Sequence, residues 1–145
     1  MSELLYNTEK LVEQFNQSIR DDLSSKGIDN TQEAANSMRI EVNERKNSVT
    51  SYGIFYMYYL DKGRAPGRFP PVDVITEWAV NKPVEISPYL IGRKIAREGT
   101  EIFKNSSKGI ELDKKRKALL DELNREAPRW AKQDLLVKMK GINKI

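Results

Sequence analysis

This 145-residue chain predicts an α+β fold, with helices packed on one face of a small antiparallel sheet. Three features of the sequence carry that reading. The first twenty-five residues hold an apolar stripe at helical spacing, a segment near residue 40 alternates with period two, and the last third is charged with helical patterning. The length suits one domain, with a core over about residues 2–103 and a basic helical extension over about 111–141.

Leu4, Leu5, Leu11, Val12, Phe15, Ile19 and Leu23 form the first stripe, on a helix from about Ser2 to Ser25 that Gly27 ends. Residues 31–36 read as a linker or a short helical turn. Met38, Ile40 and Val42 then alternate with Arg39, Glu41 and Asn43, the pattern of a half-buried strand. A polar turn at Glu44–Ser48 and a β-branched, aromatic return complete a hairpin of about residues 38–56. The run Phe55–Leu60 either continues that strand or turns helical.

Two short central helices follow. Pro71 suits a first helical position, where its missing N–H costs nothing, and Lys82-Pro83 stops the helix. Ser87 as N-cap and Pro88 after it open the second, which Gly99 closes. The polar stretch Lys104–Gly109 reads as a surface loop. From about Glu111 to Lys140 the pattern is helical, with Leu112, Leu119, Leu120 and Leu123 in one stripe and Trp130, Leu135, Leu136 and Met139 in another. Pro128 lies between them and predicts a break or kink.

Composition excludes several kinds of chemistry. The chain has no Cys and no His, so thiol nucleophiles, disulfides, Ser-His-Asp triads and nearly all zinc sites are out. No catalytic, cofactor-binding or metal-ligating residue is expected, and Glu44-Arg45-Lys46 with Asp61 or Asp73 reads as solvated charge rather than a metal-dependent nuclease. The N-terminus lacks a signal-peptide pattern and no apolar run is long enough to span a membrane, so a cytoplasmic origin is expected. Residues 1–24 carry five acids against two bases, and residues 108–145 carry eleven bases against six acids. Opposite signs at the two ends suit head-to-tail contacts between copies.

The most informative stretch is Tyr52–Pro71, YGIFYMYYLDKGRAPGRFPP. Eight apolar or aromatic residues in nine positions precede a loop with Gly63, Gly67, Lys62, Arg64 and Arg68, then Pro70-Pro71. Prolines stiffen the loop, and it holds no nucleophile or general base that works near neutral pH. Tyr and Arg are enriched in protein–protein hot spots. A stiff cationic loop beside aromatic side chains reads as a docking device.

Tyr56–Arg64, then Pro66-Gly67-Arg68-Phe69-Pro70-Pro71, then Val74–Ala79 with its Trp78, and finally Tyr89–Thr100, occur in the order and spacing of a known pattern. Over about residues 50–103 the chain resembles the tail-completion and head–tail-joining (neck) family of tailed bacteriophages. It departs from that family at Leu60-Asp61-Lys62-Gly63, where an acidic residue followed by aromatic-Gly-Thr is common, and in its long basic C-terminal helix. The resemblance implies a non-enzymatic virion structural protein, made in the host cytoplasm, that forms a ring between portal and tail. Its expected partners are further copies of itself, the portal or adaptor, and the tail tube.

The interface candidates are Tyr56, Tyr58, Tyr59, Lys62, Arg64, Arg68, Phe69, Trp78 and Trp130. Gly63–Pro71 is expected to project toward an axial partner, with Arg64 and Arg68 pairing with carboxylates there or meeting DNA phosphates in the channel. The acidic first helix and the basic last helix could form one contact between neighbouring copies; the alternative is that both are ordinary solvated helices. A competing reading is a nucleic-acid-binding regulatory protein that uses the basic C-terminal helix. Against it, the bases there alternate with acids and no aromatic ladder accompanies them.

Overall fold

The structure is a computed structural model that describes residues 1–28, 32–80 and 86–142, without the side chains of Trp78 and Ile142. Its elements run α1 (Glu3–Ser25), α2 (Glu33–Ser37), β1 (Arg39–Asn43), β2 (Ser48–Tyr52), α3 (Met57–Lys62), α4 (Val72–Val80), α5 (Pro88–Glu98), α6 (Glu101–Lys104), a 3-10 turn (Ser106–Lys108) and α7 (Leu112–Ile142). The fold is α+β, with one two-stranded antiparallel sheet among the described residues. The chain divides into two compact units. The first contains Met1–Ile19, Met38–Tyr52 and the chain from Leu112 on; the second contains Arg20–Ser37 and Gly53–Glu111.

In the first unit the hairpin pairs Arg39 with Tyr52 at its open end and Asn43 with Ser48 at its turn. Ile40 and Val42 turn inward while Arg39, Glu41 and Asn43 stay exposed, the alternation that a half-buried strand requires. The turn is closed by Asn47 N–H donating to the Glu44 carbonyl, with Asn47 at φ +53°. Leu5, Val12 and Ile19 recur every seven residues on the buried face of α1. Asn16 shares that face at 1% exposure, and its Oδ1 accepts a 2.6 Å hydrogen bond from Ser51 Oγ on β2. Its Nδ2 has no partner, alone among the described buried side-chain polar atoms.

Helix α7 completes this unit. Both oxygens of Asp134 accept from the start of α1, from Glu3 N at 2.7 Å and Leu4 N at 3.1 Å, while Ser2 Oγ accepts from Leu5 N. Three of the N–H groups that a helix start leaves unpaired are thereby satisfied, two of them by a carboxylate where the helix dipole favours one. Leu11 and Phe15 of α1 line one groove with Ala118 and Leu119 of α7. The acidic and basic end helices therefore lie antiparallel within one chain, paired there by apolar faces and a cap.

The second unit is closed by several long-range bonds. Lys26 Nζ donates to the Gly109 carbonyl at 2.6 Å and pairs with Glu111 at 3.2 Å and Asp22 at 3.5 Å. Ser37 Oγ accepts from Ile54 N at 3.0 Å, and Ile110 N donates to the Leu60 carbonyl at 3.1 Å. Leu23, Ala34, Ile75 and Ile110 are buried here.

Gly27 at φ +62° and Gly99 at φ +79° end their helices, and α5 starts at Pro88 after Ser87, as expected. Three expectations are corrected. β2 stops at Tyr52, not near residue 56, because Arg39 opposite it begins β1 and the ladder has no partner further on. The chain instead bonds locally, Met57 N to Ile54 O and Tyr59 N to Tyr56 O, and takes the helical alternative into α3. The stretch expected as a loop at residues 104–109 holds the end of α6 and a 3-10 turn, because Thr100 and Asn105 supply side-chain caps. Helix α7 runs unbroken through Pro128. Lys82-Pro83 lies outside the described residues.

Replacing Asp134 by Ala is expected to lower the unfolding free energy by about 1 kcal/mol, with Asp134→Asn costing less. Ser51→Ala strands the whole Asn16 amide and is expected to cost about 1–3 kcal/mol, most of which Asn16→Leu in the same chain recovers. Urea denaturation followed by circular dichroism checks both; recovery is the decisive result for the second.

Candidate functional site

The second unit carries most of the residues singled out in the sequence. Phe55 and Tyr58 are strongly exposed, at 82% and 62%, and Tyr59 is partly so. Tyr56 is half-buried, and Phe55–Tyr56 and Tyr58–Tyr59 form edge-on pairs with ring centroids 6.0 and 5.5 Å apart. The Arg64 guanidinium lies over the Tyr59 ring at 5.2 Å, a cation–π contact. Lys62 is exposed and pairs with the buried Asp61 at 3.7 Å. Arg68 is exposed.

The loop after α3 is bonded to the chain beyond it. Arg64 N donates to Thr100 Oγ1 at 2.8 Å, and Thr100 N donates back to the Arg64 carbonyl at 3.0 Å. Gly67 N then donates to the Ala96 carbonyl at 2.8 Å. The loop thus lies along the C-terminal end of α5, because bonding its own backbone there satisfies groups that would otherwise need water. Gly63 makes the approach possible: it sits at φ +72°, and a Cβ there would fall 2.3 Å from Phe103 N and 2.6 Å from Thr100 Oγ1. Further on, Phe69 packs against α5 where Gly92 leaves room, since a Cβ on Gly92 would fall 2.5 Å from the Phe69 ring. Phe69 also faces Tyr89 at 5.4 Å between centroids and stays 40% exposed.

A surface ion network braces the same junction. Lys104 Nζ reaches Glu98 at 3.2 Å and Glu101 at 3.4 Å, and Lys108 reaches Glu101 at 3.3 Å. The Lys108 hydrogen bond, then the charge of Lys104, holds the Glu101 carboxyl below its ordinary range, and the bond to Glu98 holds Lys104 above its own.

Trp78 lies on α4, and its side chain is outside the described residues. Trp130, expected at an interface, is an interior residue of the first unit at 9% exposure. The reason is helical phase. With α7 unbroken, Trp130 follows Leu112, Leu119 and Leu123 at spacings of eighteen, eleven and seven, so it shares their face. Leu135, Leu136 and Met139 do not, and they are exposed. The sequence reading also missed the exposure of Tyr89 and Leu90 on α5 and the role of Thr100. A Thr directly after the Gly that closes one helix, and directly before an acid, was a usable signal of a cap.

The arrangement offers aromatic faces, cations and a braced backbone. Among the described residues no cluster of three His, Cys, Asp or Glu is placed to hold a metal ion, and no helix is long and apolar enough to cross a membrane. On α7, Arg116, Arg125 and Arg129 each pair with an acid three residues earlier. No family model, curated protein or solved structure matches the chain.

Thr100→Val is expected to destabilise the protein by about 1–3 kcal/mol by leaving the Arg64 N–H without its acceptor, while Thr100→Ser retains most of the stability. Gly63→Ala is expected to cost more than Thr100→Val, since it adds a backbone clash at a positive φ. Thermal denaturation of the three variants checks the order.

Proposed function

We propose that this chain is a head–tail connector or tail-completion component of a bacteriophage virion, which assembles as a ring between portal and tail and acts by docking, without catalysis. One observation carries the reading. Three segments of the resemblance to the neck family, Tyr56–Arg64, Pro66–Pro71 and Tyr89–Thr100, are bonded together: Arg64 to Thr100, and Gly67 to Ala96. Their spacing along the chain therefore has a structural cause, as a real family pattern should. The exposed Phe55, Tyr58, Tyr59 and Arg68 around that junction are of the residue types that dominate protein interfaces. A ring also calls for two different surfaces on each subunit, closed by rotation.

Against the competing nucleic-acid reading, the α7 arginines at 116, 125 and 129 are each paired with an acid three residues earlier. In the proposed ring, Arg68 and the Tyr58 face contact the portal or the tail tube. Electron microscopy of the purified protein, alone and with portal or tail-tube protein of the same phage, is the test. Closed rings that bind one of these are expected, with binding reduced at least about tenfold by Tyr58→Ala with Arg68→Glu. A chain that stays monomeric in every mixture, or that turns over a substrate, ends the reading.

A further inference from the structure

Helix α5 is amphipathic, and its charged side faces out. Gly92 is buried beneath the Phe69 ring, Ile91 and Ile95 are half-buried, and the Ala96 carbonyl accepts from Gly67 N. These residues mark the inner side of the helix. Tyr89, Arg93 and Arg97 follow one another one turn apart, with Leu90 and Lys94 beside them, and all are exposed. The side chains of Arg93, Lys94 and Arg97 have no ion pair or hydrogen bond among the described residues. The helix has one acid, Glu98, which Lys104 Nζ already holds at 3.2 Å. The outward face therefore presents one sign of charge. Charged side chains belong in water, so such a face needs no covering element, unlike an apolar one.

An aromatic ring stands in the same row. Tyr89 is 60% exposed, and Phe69 backs it at 5.4 Å between centroids with 33° between the ring planes. Phe69 is itself positioned, because Gly92 lets its ring sit against α5. Tyr89 is thus a supported aromatic surface one turn from Arg93. Helix α7 also carries cations, but its one aromatic residue, Trp130, is buried.

The chemistry of the face selects among anionic partners. A lipid surface is met by the apolar side of an amphipathic helix, and in α5 that side faces inward. A protein interface needs an apolar centre, which Leu90 alone does not make. A nucleic-acid strand offers an unbroken row of like charge for the cations and a flat base for the ring. Arginine suits it further, because its planar fork bonds two phosphate oxygens at once. We infer that the outward face of α5 binds a single nucleic-acid strand without regard to sequence, its phosphates on Arg93, Lys94 and Arg97 and one base stacked on Tyr89. A duplex keeps its bases stacked inside and makes no use of the ring. This activity is separate from the ring-shaped assembly proposed above and requires no association between copies.

The test is fluorescence anisotropy of a labelled oligothymidylate of about 16 nucleotides, titrated with the full chain at several salt concentrations. Three phosphate contacts on a single strand give a slope of log K against log salt of about −2, so affinity is expected to fall about fifteenfold between about 50 and 200 mM salt. Arg93→Gln with Lys94→Gln and Arg97→Gln, which retains good helix formers, is expected to bring that slope near zero. Tyr89→Leu is expected to weaken single-strand binding at least about fivefold with the slope unchanged, while Tyr89→Phe restores it and duplex binding does not respond. Absence of binding at low salt, a slope that survives the glutamine changes, or an equal loss on duplex overturns the inference. So does displacement by polyglutamate as effective as by unlabelled oligonucleotide, which makes the partner an acidic protein surface. A glutamine variant that folds less stably in urea also overturns it, because the three cations are then held within the chain itself. None of these outcomes bears on ring assembly, which is read from association.

Discussion

The second unit depends on one reciprocal pair of hydrogen bonds, between the backbone of Arg64 and the backbone and hydroxyl of Thr100. The two stand thirty-six positions apart in the chain. The same hydroxyl also accepts from Phe103 N and starts α6. A single side chain thus ends one loop and begins one helix. Its position is fixed sterically by Gly63, where any Cβ would strike the backbone at Phe103. Ordering a chain residue costs on the order of 1–2 kcal/mol, a cost that the bonds of Arg64 and Gly67 to Thr100 and Ala96 help to offset in the loop after α3.

That constraint explains how aromatic side chains stay at the surface in a defined arrangement. Tyr58 and Tyr59 sit on α3, a helix of six residues that would not be stable alone. It is held at its end by Gly63 N donating to Tyr59 O, and beyond it by Ile110 N donating to Leu60 O. Arg64, fixed by Thr100, then lies over Tyr59. The exposed rings are therefore presented by a braced scaffold.

Local chemistry was legible in the sequence and tertiary choice was not. Gly27, Gly99 and the Ser87-Pro88 pair marked helix ends correctly because caps depend on residues within one turn. The strand alternation of Ile40 and Val42 was equally clear. The extent of β2 was not, since it is set by where β1 begins and not by anything in Gly53–Tyr56. Asp134 gave no signal at all: it caps a helix that starts 131 residues earlier. Pro128 marks a boundary in the sequence pattern, which separates Trp130 from the stripe of Leu112, Leu119 and Leu123. Once the helix continues through that residue, phase alone assigns the indole to the interior.

The charge asymmetry that stood out in the sequence also changes meaning in the fold. Acidic α1 and basic α7 meet through leucines, a phenylalanine and a cap, so the pairing draws on burial and hydrogen bonding more than on net charge. Exposed ion pairs contribute little in water, and most α7 pairs are of that kind. Burial is the stronger currency, which makes exposed apolar side chains the more telling feature. Single exposed hydrophobic residues are ordinary, but Leu135, Leu136 and Met139 are three in five consecutive positions on one side of α7. Helical rotation cannot turn these three toward the interior of the first unit, because Trp130 and Asp134 already fix which side faces in. Their apolar surface therefore lies outside the core that Trp130 belongs to.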